Sequence, residues 1–224
     1  MIKQEWRVPV GSEETSAVYE SATEGDDIAV FICAHGAGGN IADRSTVASA
    51  NALRKQGIGV VRFNFLYKEK GSGRPDAMPK LTNTFSAVVA HARAELGQPR
   101  PLIIGGRSMG GRAASMLASE GFDADGLLLL AYPLHPPGQP EKLRDAHLPS
   151  ITMPVLAFSG TRDPFVSRDL MERTLAKVTA PWEMQWVDGA DHSFHMTKAS
   201  GTTDAEVMVR VGEQSRAWVS KLQP

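Results

Sequence analysis

Apolar residues occur along this chain in short runs, which alternate with stretches where apolar positions recur at helical spacing. Six runs have the length and composition of buried strands: 28–34, 59–65, 126–131, 154–160, 182–187 and the run that begins at Leu102. Helices are predicted at 45–56, 81–96, about 166–178 and from Thr203 to about Leu222, and a further helix follows the strand at Leu102.

Strands that alternate with helices predict an α/β fold built on a mostly parallel, doubly wound sheet. The N-terminal stretch differs, because 6–10 and 15–20 flank Gly11 and Ser12 with no helix between them. It therefore predicts an antiparallel hairpin at the edge of the sheet. The polar composition of residues 66–80, with Gly71, Gly73 and Pro75, predicts a loop. No repeat or linker divides the sequence, so we expect one domain over 1–224.

Composition narrows the range of partners. The chain has 224 residues and a formal net charge of -1, which argues against nucleic acid or a membrane surface as a bulk electrostatic partner. The N-terminus lacks a signal-peptide pattern, and no apolar run is long enough to cross a membrane. The single cysteine, Cys33, lies in an apolar run and is predicted to be a buried thiol. We expect a cytoplasmic protein.

Residues 105–111, Gly-Gly-Arg-Ser-Met-Gly-Gly, place Ser108 between a buried strand and a predicted helix. Gly106 and Gly110 lie two residues away on either side, where larger side chains would collide as the strand and the helix approach each other. This spacing is typical of a nucleophile elbow, which holds a serine in a strained backbone conformation. Because so short a pattern also arises by accident, its interpretation depends on the residues at the ends of the other strands.

Two further residues follow strands whose ends meet the elbow. Active sites of open parallel sheets form at the carboxyl ends of the strands. Asp163 follows the strand at 154–160, and His192 follows the strand at 182–187. The chain order Ser108, Asp163, His192 is a known order of a catalytic triad. In that arrangement His192 takes the proton of Ser108, and Asp163 orients and stabilises the imidazole.

Each of these assignments has a competitor. Asp163 precedes a proline and could instead cap the helix that follows it. His195 competes with His192, which is preferred because it follows its strand more closely. Asp188 and Asp191 are weaker candidates for the acid, since they lie on the histidine's own loop.

A glycine-rich loop, His35-Gly36-Ala37-Gly38-Gly39, follows the first predicted parallel strand. Acyl transfer places negative charge on a carbonyl oxygen and needs fixed N–H donors aimed at it. The amides of Met109 and Ala37 are the predicted donors of this oxyanion hole. His35 is interpreted as a residue that pins the loop rather than as a second base. The loop lacks a phosphate-binding pattern, and no cluster of residues has metal-ligand spacing, so neither cofactor nor metal is predicted.

The chain resembles the α/β-hydrolase superfamily in residues 105–112 and in the segment Tyr-Pro-Leu-His-Pro-Pro-Gly at 132–138. Within it, these segments resemble a compact group related to testis-expressed proteins and to a subunit of a chromatin-acetylating complex. That group is close to dienelactone-hydrolase-like enzymes with a similar lidless core. The resemblance implies an α/β-hydrolase fold with no cap domain, and a hydrolase activity. A dienelactone hydrolase proper has cysteine where this chain has Ser108.

The interval 132–153 is rich in proline and too short for a cap of several helices, which predicts an open, shallow site. His35, Tyr132, Leu134 and His135 are candidates for lining that site. The alternative for the last three is a rigid surface loop. Basic residues of 66–80 are either a binding surface for an anionic substrate or ordinary solvated charges.

These observations favour a serine hydrolase that cleaves carboxylic esters or thioesters of small or exposed acyl groups through an acyl-enzyme on Ser108. Its predicted partner is a small-molecule substrate. Two alternatives stay open: an interaction protein that keeps the fold without catalysis, and a C–C hydrolase or haloperoxidase-like enzyme with the same triad.

Overall fold

The computed structural model describes residues 1–99 and 101–222, so residues 100, 223 and 224 of the expected domain lie outside the described part. Its centre is an eight-stranded sheet with the order β1-β2-β4-β3-β5-β6-β7-β8. The strands are β1 Lys3–Val10, β2 Glu13–Glu20, β3 Ala29–Ala34, β4 Ile58–Phe63, β5 Leu102–Arg107, β6 Gly126–Leu130, β7 Val155–Gly160 and β8 Trp182–Val187. Strand β2 is antiparallel to both of its neighbours, and all other pairings are parallel. The predicted edge hairpin is therefore confirmed.

Helices cover both faces of the sheet. They are α1 Arg44–Arg54, α2 Leu66–Glu69, α3 Met78–Glu95, α4 Met109–Ser119, α5 Arg168–Leu175 and α6 Asp204–Val219. Buried residues of α3, α4 and α5 pack on one face of the sheet, and those of α1 and α6 pack on the other. The central strands β3 to β7 are buried on both faces and read as apolar runs, whereas the edge strand β1 alternates between exposed and buried positions and β8 is mostly half-buried. The predicted α/β fold with a doubly wound sheet is confirmed.

The predicted polar loop at 66–80 is wrong at both ends. Leu66 and Tyr67 are buried and begin the short helix α2, because the backbone N–H of Tyr67 donates to the carboxylate of Asp76 at 3.0 Å. Helix α3 begins at Met78, earlier than predicted, and Pro79 occupies its first turn, where a missing N–H costs nothing.

Caps set the ends of two other helices. Helix α5 begins at Arg168, because the Ser167 side chain accepts from the N–H of Leu170, and it is shorter than the predicted 166–178. Thr203 and Glu206 form the predicted capping box at the start of α6.

The segment between β6 and β7 contains one 3-10 turn, Leu148–Ser150, and forms no cap over the sheet. The carboxyl ends of β5, β7 and β8 therefore lie open at one edge of the sheet. None of the helices in the described part of the chain is long and apolar enough to cross a membrane.

Candidate active site

Ser108 lies in the turn that joins β5 to α4. Its backbone has φ 48° and ψ -115°, in a region that non-glycine residues rarely adopt. Its amide donates to the carbonyl of Leu130 at 3.0 Å, which ties the turn to the end of β6. A Cβ at Gly106 would lie 2.2 Å from the carbonyl oxygen of Ala34, and one at Gly110 would lie 2.5 Å from it. The flanking glycines are thus required by the close approach of β3.

Ser108, His192 and Asp163 form a continuous hydrogen-bonded chain. The Nε2 atom of His192 lies 2.9 Å from the Ser108 hydroxyl, and its Nδ1 atom lies 2.7 Å from Oδ2 of Asp163. Because an ionised carboxylate only accepts, Nδ1 carries the proton, and Nε2 is left to accept from the serine. The Asp163 side chain is fully buried, and that of His192 is 20% exposed. This arrangement can remove a proton from the serine hydroxyl.

Neighbouring residues orient the Asp163 carboxylate toward His192. Its Oδ1 atom accepts from the N–H of Phe165 at 2.8 Å, which leaves Oδ2 for His192. It caps no helix, since α5 begins five residues later and is capped by Ser167. The ring of Phe165 packs against the imidazole, with 4.3 Å between ring centroids.

The competing histidine and carboxylates have other partners. His195 is exposed, and its Nδ1 atom lies 2.8 Å from Oδ2 of Asp204. Asp191 accepts from the N–H groups of Ser193 and His195, so it shapes the loop. Asp188 pairs with Arg168 at the surface. Of the candidate histidines and acids, the structure brings only His192 and Asp163 into the hydrogen-bonded chain with Ser108.

The glycine-rich loop lies against the serine. A Cβ at Gly36 would come within 3.5 Å of the Ser108 Cβ, so the loop passes directly beside the side chain. Ala37 and Met109 both line the cleft around Ser108. Neither backbone N–H donates to another residue within the described ranges. Both amides thus lack an acceptor within those ranges, which is one requirement for the donors of an oxyanion hole.

His35 is fully buried beneath this loop. Its Nε2 atom accepts from the N–H of Phe65 at 3.2 Å, and its Nδ1 atom lies 2.7 Å from the Gly36 carbonyl. The imidazole is therefore protonated on Nδ1 and neutral, and burial lowers its pKa below the ordinary value. His35 fixes the path of the loop from below and does not reach the cleft.

Arg107, to which the sequence pattern gives no role, holds the backbone beside the histidine. It is 6% exposed, and its guanidinium donates to the carbonyl of His192 at 2.9 Å. The same group lies over the ring of Phe194, 5.6 Å from its centroid. Burial lowers the pKa of Arg107, while the carboxylate of Asp43 opposes that effect. Arg107 thus fixes the loop that carries His192.

The cleft around Ser108 has a volume of about 510 Å³. It is lined by backbone and side-chain atoms of Gly36, Ala37, Gly39, Asp43, Ser45, Arg107, Ser108, Met109, Arg112, Pro133, Arg144, Phe165, His192 and Ser193. Its walls combine apolar side chains with three arginines and one aspartate, so positive charge predominates. The basic residues of 66–80 do not line it; Lys70 and Lys80, for example, pair with Glu13.

The prediction that Tyr132, Leu134 and His135 line the cleft is corrected by the structure. All three are buried and do not line the cleft; Pro133, which is also buried, contributes atoms to its wall. The Tyr132 hydroxyl donates to the carbonyl of Arg144 at 2.7 Å, and the amide of His135 donates to the carbonyl of Phe165 at 3.0 Å. The chain after β6 thus turns inward and supports the cleft wall from behind.

Sequence reasoning missed four charged or aromatic residues of the wall: Asp43, Arg112, Arg144 and Phe165. A signal existed for Arg112, because it lies four residues after Ser108 and hence one helical turn further along α4. No pattern marks Arg144, since its position depends on the irregular path between β6 and β7. Over the described ranges, His, Cys, Asp and Glu side chains form no group of three suited to a metal ion.

Residues 27–220 match a family model described as an alpha/beta hydrolase domain. The chain therefore belongs to the α/β-hydrolase family, and the resemblance inferred from residues 105–112 and 132–138 is confirmed at that level.

Solved structures with this fold cover nearly the whole chain. A lidless α/β serine hydrolase from Xanthomonas campestris has a TM-score of 0.78 and 20% identity, covering 96% of this chain and 94% of that chain. Est1E from Butyrivibrio proteoclasticus, solved with ferulic acid bound, has a TM-score of 0.77 and 17% identity, covering 96% and 99%. Dienelactone hydrolase from Anabaena variabilis has a TM-score of 0.74 and 18% identity, covering 98% of each chain. These similarities agree with the predicted absence of a cap.

Proposed function

We propose that this protein is a serine hydrolase that cleaves carboxylic esters or thioesters of small or exposed acyl groups. The observation that carries the proposal is the hydrogen-bonded chain from Ser108 through His192 to Asp163, with 2.9 Å and 2.7 Å links. The strained backbone at Ser108 and the unpaired amides of Ala37 and Met109 support it. Similarity to serine hydrolases and esterases supports it independently.

In the proposed reaction, the Ser108 oxygen attacks the substrate carbonyl while Nε2 of His192 takes the hydroxyl proton. The resulting oxyanion receives hydrogen bonds from the amides of Ala37 and Met109. When the carbonyl reforms, the bond to the alcohol or thiol breaks, and the imidazolium donates its proton to that leaving group. Asp163 stabilises the imidazolium throughout.

Water then replaces the leaving group. His192 accepts a proton from this water as its oxygen attacks the acyl-enzyme carbonyl, and a second tetrahedral intermediate forms over the same two amides. Its collapse breaks the bond to Ser108, which recovers its proton from the imidazolium and releases the carboxylic acid. Arg107 keeps the histidine loop in place through the 2.9 Å bond to the His192 carbonyl. An uncapped cleft suits small or exposed acyl groups better than long chains that need a tunnel.

The test is labelling with a fluorophosphonate probe, followed by assays on p-nitrophenyl esters of increasing acyl length. We expect wild-type protein to be labelled and to hydrolyse the shorter esters, and Ser108→Ala to do neither. Ser119→Ala is a matched control, because its hydroxyl donates to the Met116 carbonyl on the same helix, outside the cleft. Folded wild-type protein that is neither labelled nor active would favour the non-catalytic alternative.

A further inference from the structure

Two arginines line the cleft on the side of α4. Arg112 lies one turn after Ser108, and its backbone N–H donates to the Ser108 carbonyl at 3.0 Å. Arg144 lies in the segment between β6 and β7, and its carbonyl accepts from the buried Tyr132 hydroxyl at 2.7 Å. The two residues therefore come from different parts of the chain and are each fixed through their backbones to the structure around Ser108.

Neither guanidinium has a counter-ion or a hydrogen-bond acceptor among residues 1–99 and 101–222. The Nε atom of Arg112 is buried without a partner. Both side chains are partly buried, and the pKa of Arg144 lies below its ordinary value because of burial and then because of the neighbouring charge of Arg112. The two groups thus repel each other in a partly desolvated wall.

The nearby carboxylates are already engaged. Asp43 caps α1, where it accepts from Ser45 and Thr46. Asp145 contacts the hydroxyl of Thr174 at 3.4 Å and the ammonium of Lys177 at 3.9 Å. No acid therefore offsets Arg112 and Arg144 at the cleft within the described residues.

Two guanidinium groups in one partly buried cleft wall, without an acid beside them, are electrostatically unfavourable, whereas neutral side chains would pack there without repulsion. An oxyanion bound between them would relieve the repulsion and complete their hydrogen bonds. The planar fork of arginine suits carboxylate and phosphate groups, which accept two parallel hydrogen bonds. The arrangement is therefore that of an anion subsite beside a nucleophilic serine.

We propose that Arg112 and Arg144 bind an anionic group, a carboxylate or a phosphate, on the part of the ester or thioester away from the scissile carbonyl. This inference rests on the proposed function and specifies the substrate class for the same cleft. The cleft of about 510 Å³ holds both the reacting carbonyl and a charged substituent of this size.

The test compares kcat/KM for charged and neutral substrates of matched length. One arm uses the 4-nitrophenyl monoester of adipic acid against 4-nitrophenyl hexanoate, and the other uses S-acetyl phosphopantetheine against S-acetyl pantetheine. We expect the wild type to prefer the charged member of at least one pair by about tenfold or more, mainly through KM. The arm that shows the preference identifies carboxylate or phosphate as the recognised group.

Arg112→Gln and Arg144→Gln should each reduce that charged-to-neutral ratio by about tenfold. Arg173→Gln, at an exposed position of α5 outside the cleft, is the matched control and should keep the wild-type ratio. Thermal unfolding of each variant checks that it is folded. Because the two arginines lie on separate segments, one variant still tests the inference if the other does not fold. Adipate or inorganic phosphate should also slow fluorophosphonate labelling of the wild type but not of the folded arginine variants, a readout that needs no turnover.

A wild type that is labelled but shows no charged preference in either arm, together with no protection by either anion, would overturn this inference and leave the proposed function standing. The same holds if both folded arginine variants keep the wild-type ratio and protection. Absence of labelling and of all hydrolysis by folded wild type would instead overturn the proposed function, and the substrate class with it.

Discussion

The geometry around Ser108 predicts whether a substitution at Gly110 raises or lowers the free energy of unfolding. Gly110 lies in the first turn of α4, where alanine has the higher helix propensity, by up to about 1 kcal/mol. If the glycine were kept only for local flexibility, Gly110→Ala would raise the free energy of unfolding. The structure predicts the opposite, because the new Cβ would lie 2.5 Å from the Ala34 carbonyl oxygen and 2.6 Å from that of His35.

The magnitude depends on which atoms could move. The close contacts at Gly110 are with backbone atoms of the strand end and the loop that follows it, so no side-chain rotation relieves them. Overpacking in a tight site costs about 1–3 kcal/mol, and a backbone clash belongs at the upper end of that range. After the gain in helix propensity, we expect a net loss of about 2 kcal/mol. For a chain of this size the melting temperature should fall by about 4–8 °C.

The assay is thermal and urea unfolding of Gly110→Ala beside Gly73→Ala. Gly73 is a fair control, since a Cβ there would meet nothing within 4 Å and its backbone is not in the left-handed region. The control should be neutral or slightly stabilised. Gly110→Ala should also react more slowly with a fluorophosphonate, because α4 must move away from the loop at 35–39. A Gly110→Ala protein as stable as the wild type would refute the argument.

Three further predictions concern individual side chains. Asp163→Asn should lower kcat for a p-nitrophenyl ester by about 10³-fold or more, because Nδ1 of His192 loses a carboxylate at 2.7 Å; activity within tenfold of the wild type would contradict the proposed role. Hydrogen bonding to Asp204 raises the pKa of His195 above 6.5, so its stabilising effect is present below that pH and is lost as pH rises through the raised pKa. The melting-temperature difference between wild type and His195→Gln should therefore be larger at pH 5.5 than at pH 8.5, which lie about one unit below and two units above 6.5. An equal difference at the two pH values would exclude the His195–Asp204 pair as its source. Burial raises the pKa of Cys33 to about 12, so a thiol reagent at pH 8 (about four units lower) should react only after denaturation, and rapid labelling of native protein would show that the thiol is accessible.

The fold was predictable because its signals are local. Each buried strand is an apolar run, and each helix has its own periodicity or cap, as at Thr203 and Glu206. Helix α2 was missed because its four residues are too few to show a period. Its formation depends on Asp76, which accepts from the N–H of Tyr67 across a turn that no local pattern announces.

The grouping of Ser108, Asp163 and His192 was predictable for a related reason. Ser108, Asp163 and His192 each follow a strand within a few residues, and β5, β6, β7 and β8 are consecutive neighbours in one parallel sheet. Parallel register brings the carboxyl ends of these strands to one edge, so chain order and strand assignment were enough to bring the three side chains together.

The residues that line the cleft do not follow from chain order and strand assignment. The sequence pattern therefore says less about the substrate than about the reaction. Tyr132, Leu134 and His135 follow β6 as directly as Asp163 follows β7, yet they do not line the cleft, whereas the neighbouring Pro133 does. An irregular segment has no period that shows which side chain lines a cleft, so its path depends on distant contacts such as the hydrogen bond from the Tyr132 hydroxyl to the Arg144 carbonyl. The groups proposed to react are carried by strand ends and the groups proposed to select are carried partly by such segments. For that reason the sequence predicts the reaction class, whereas the charge that we propose for the substrate is inferred from the structure.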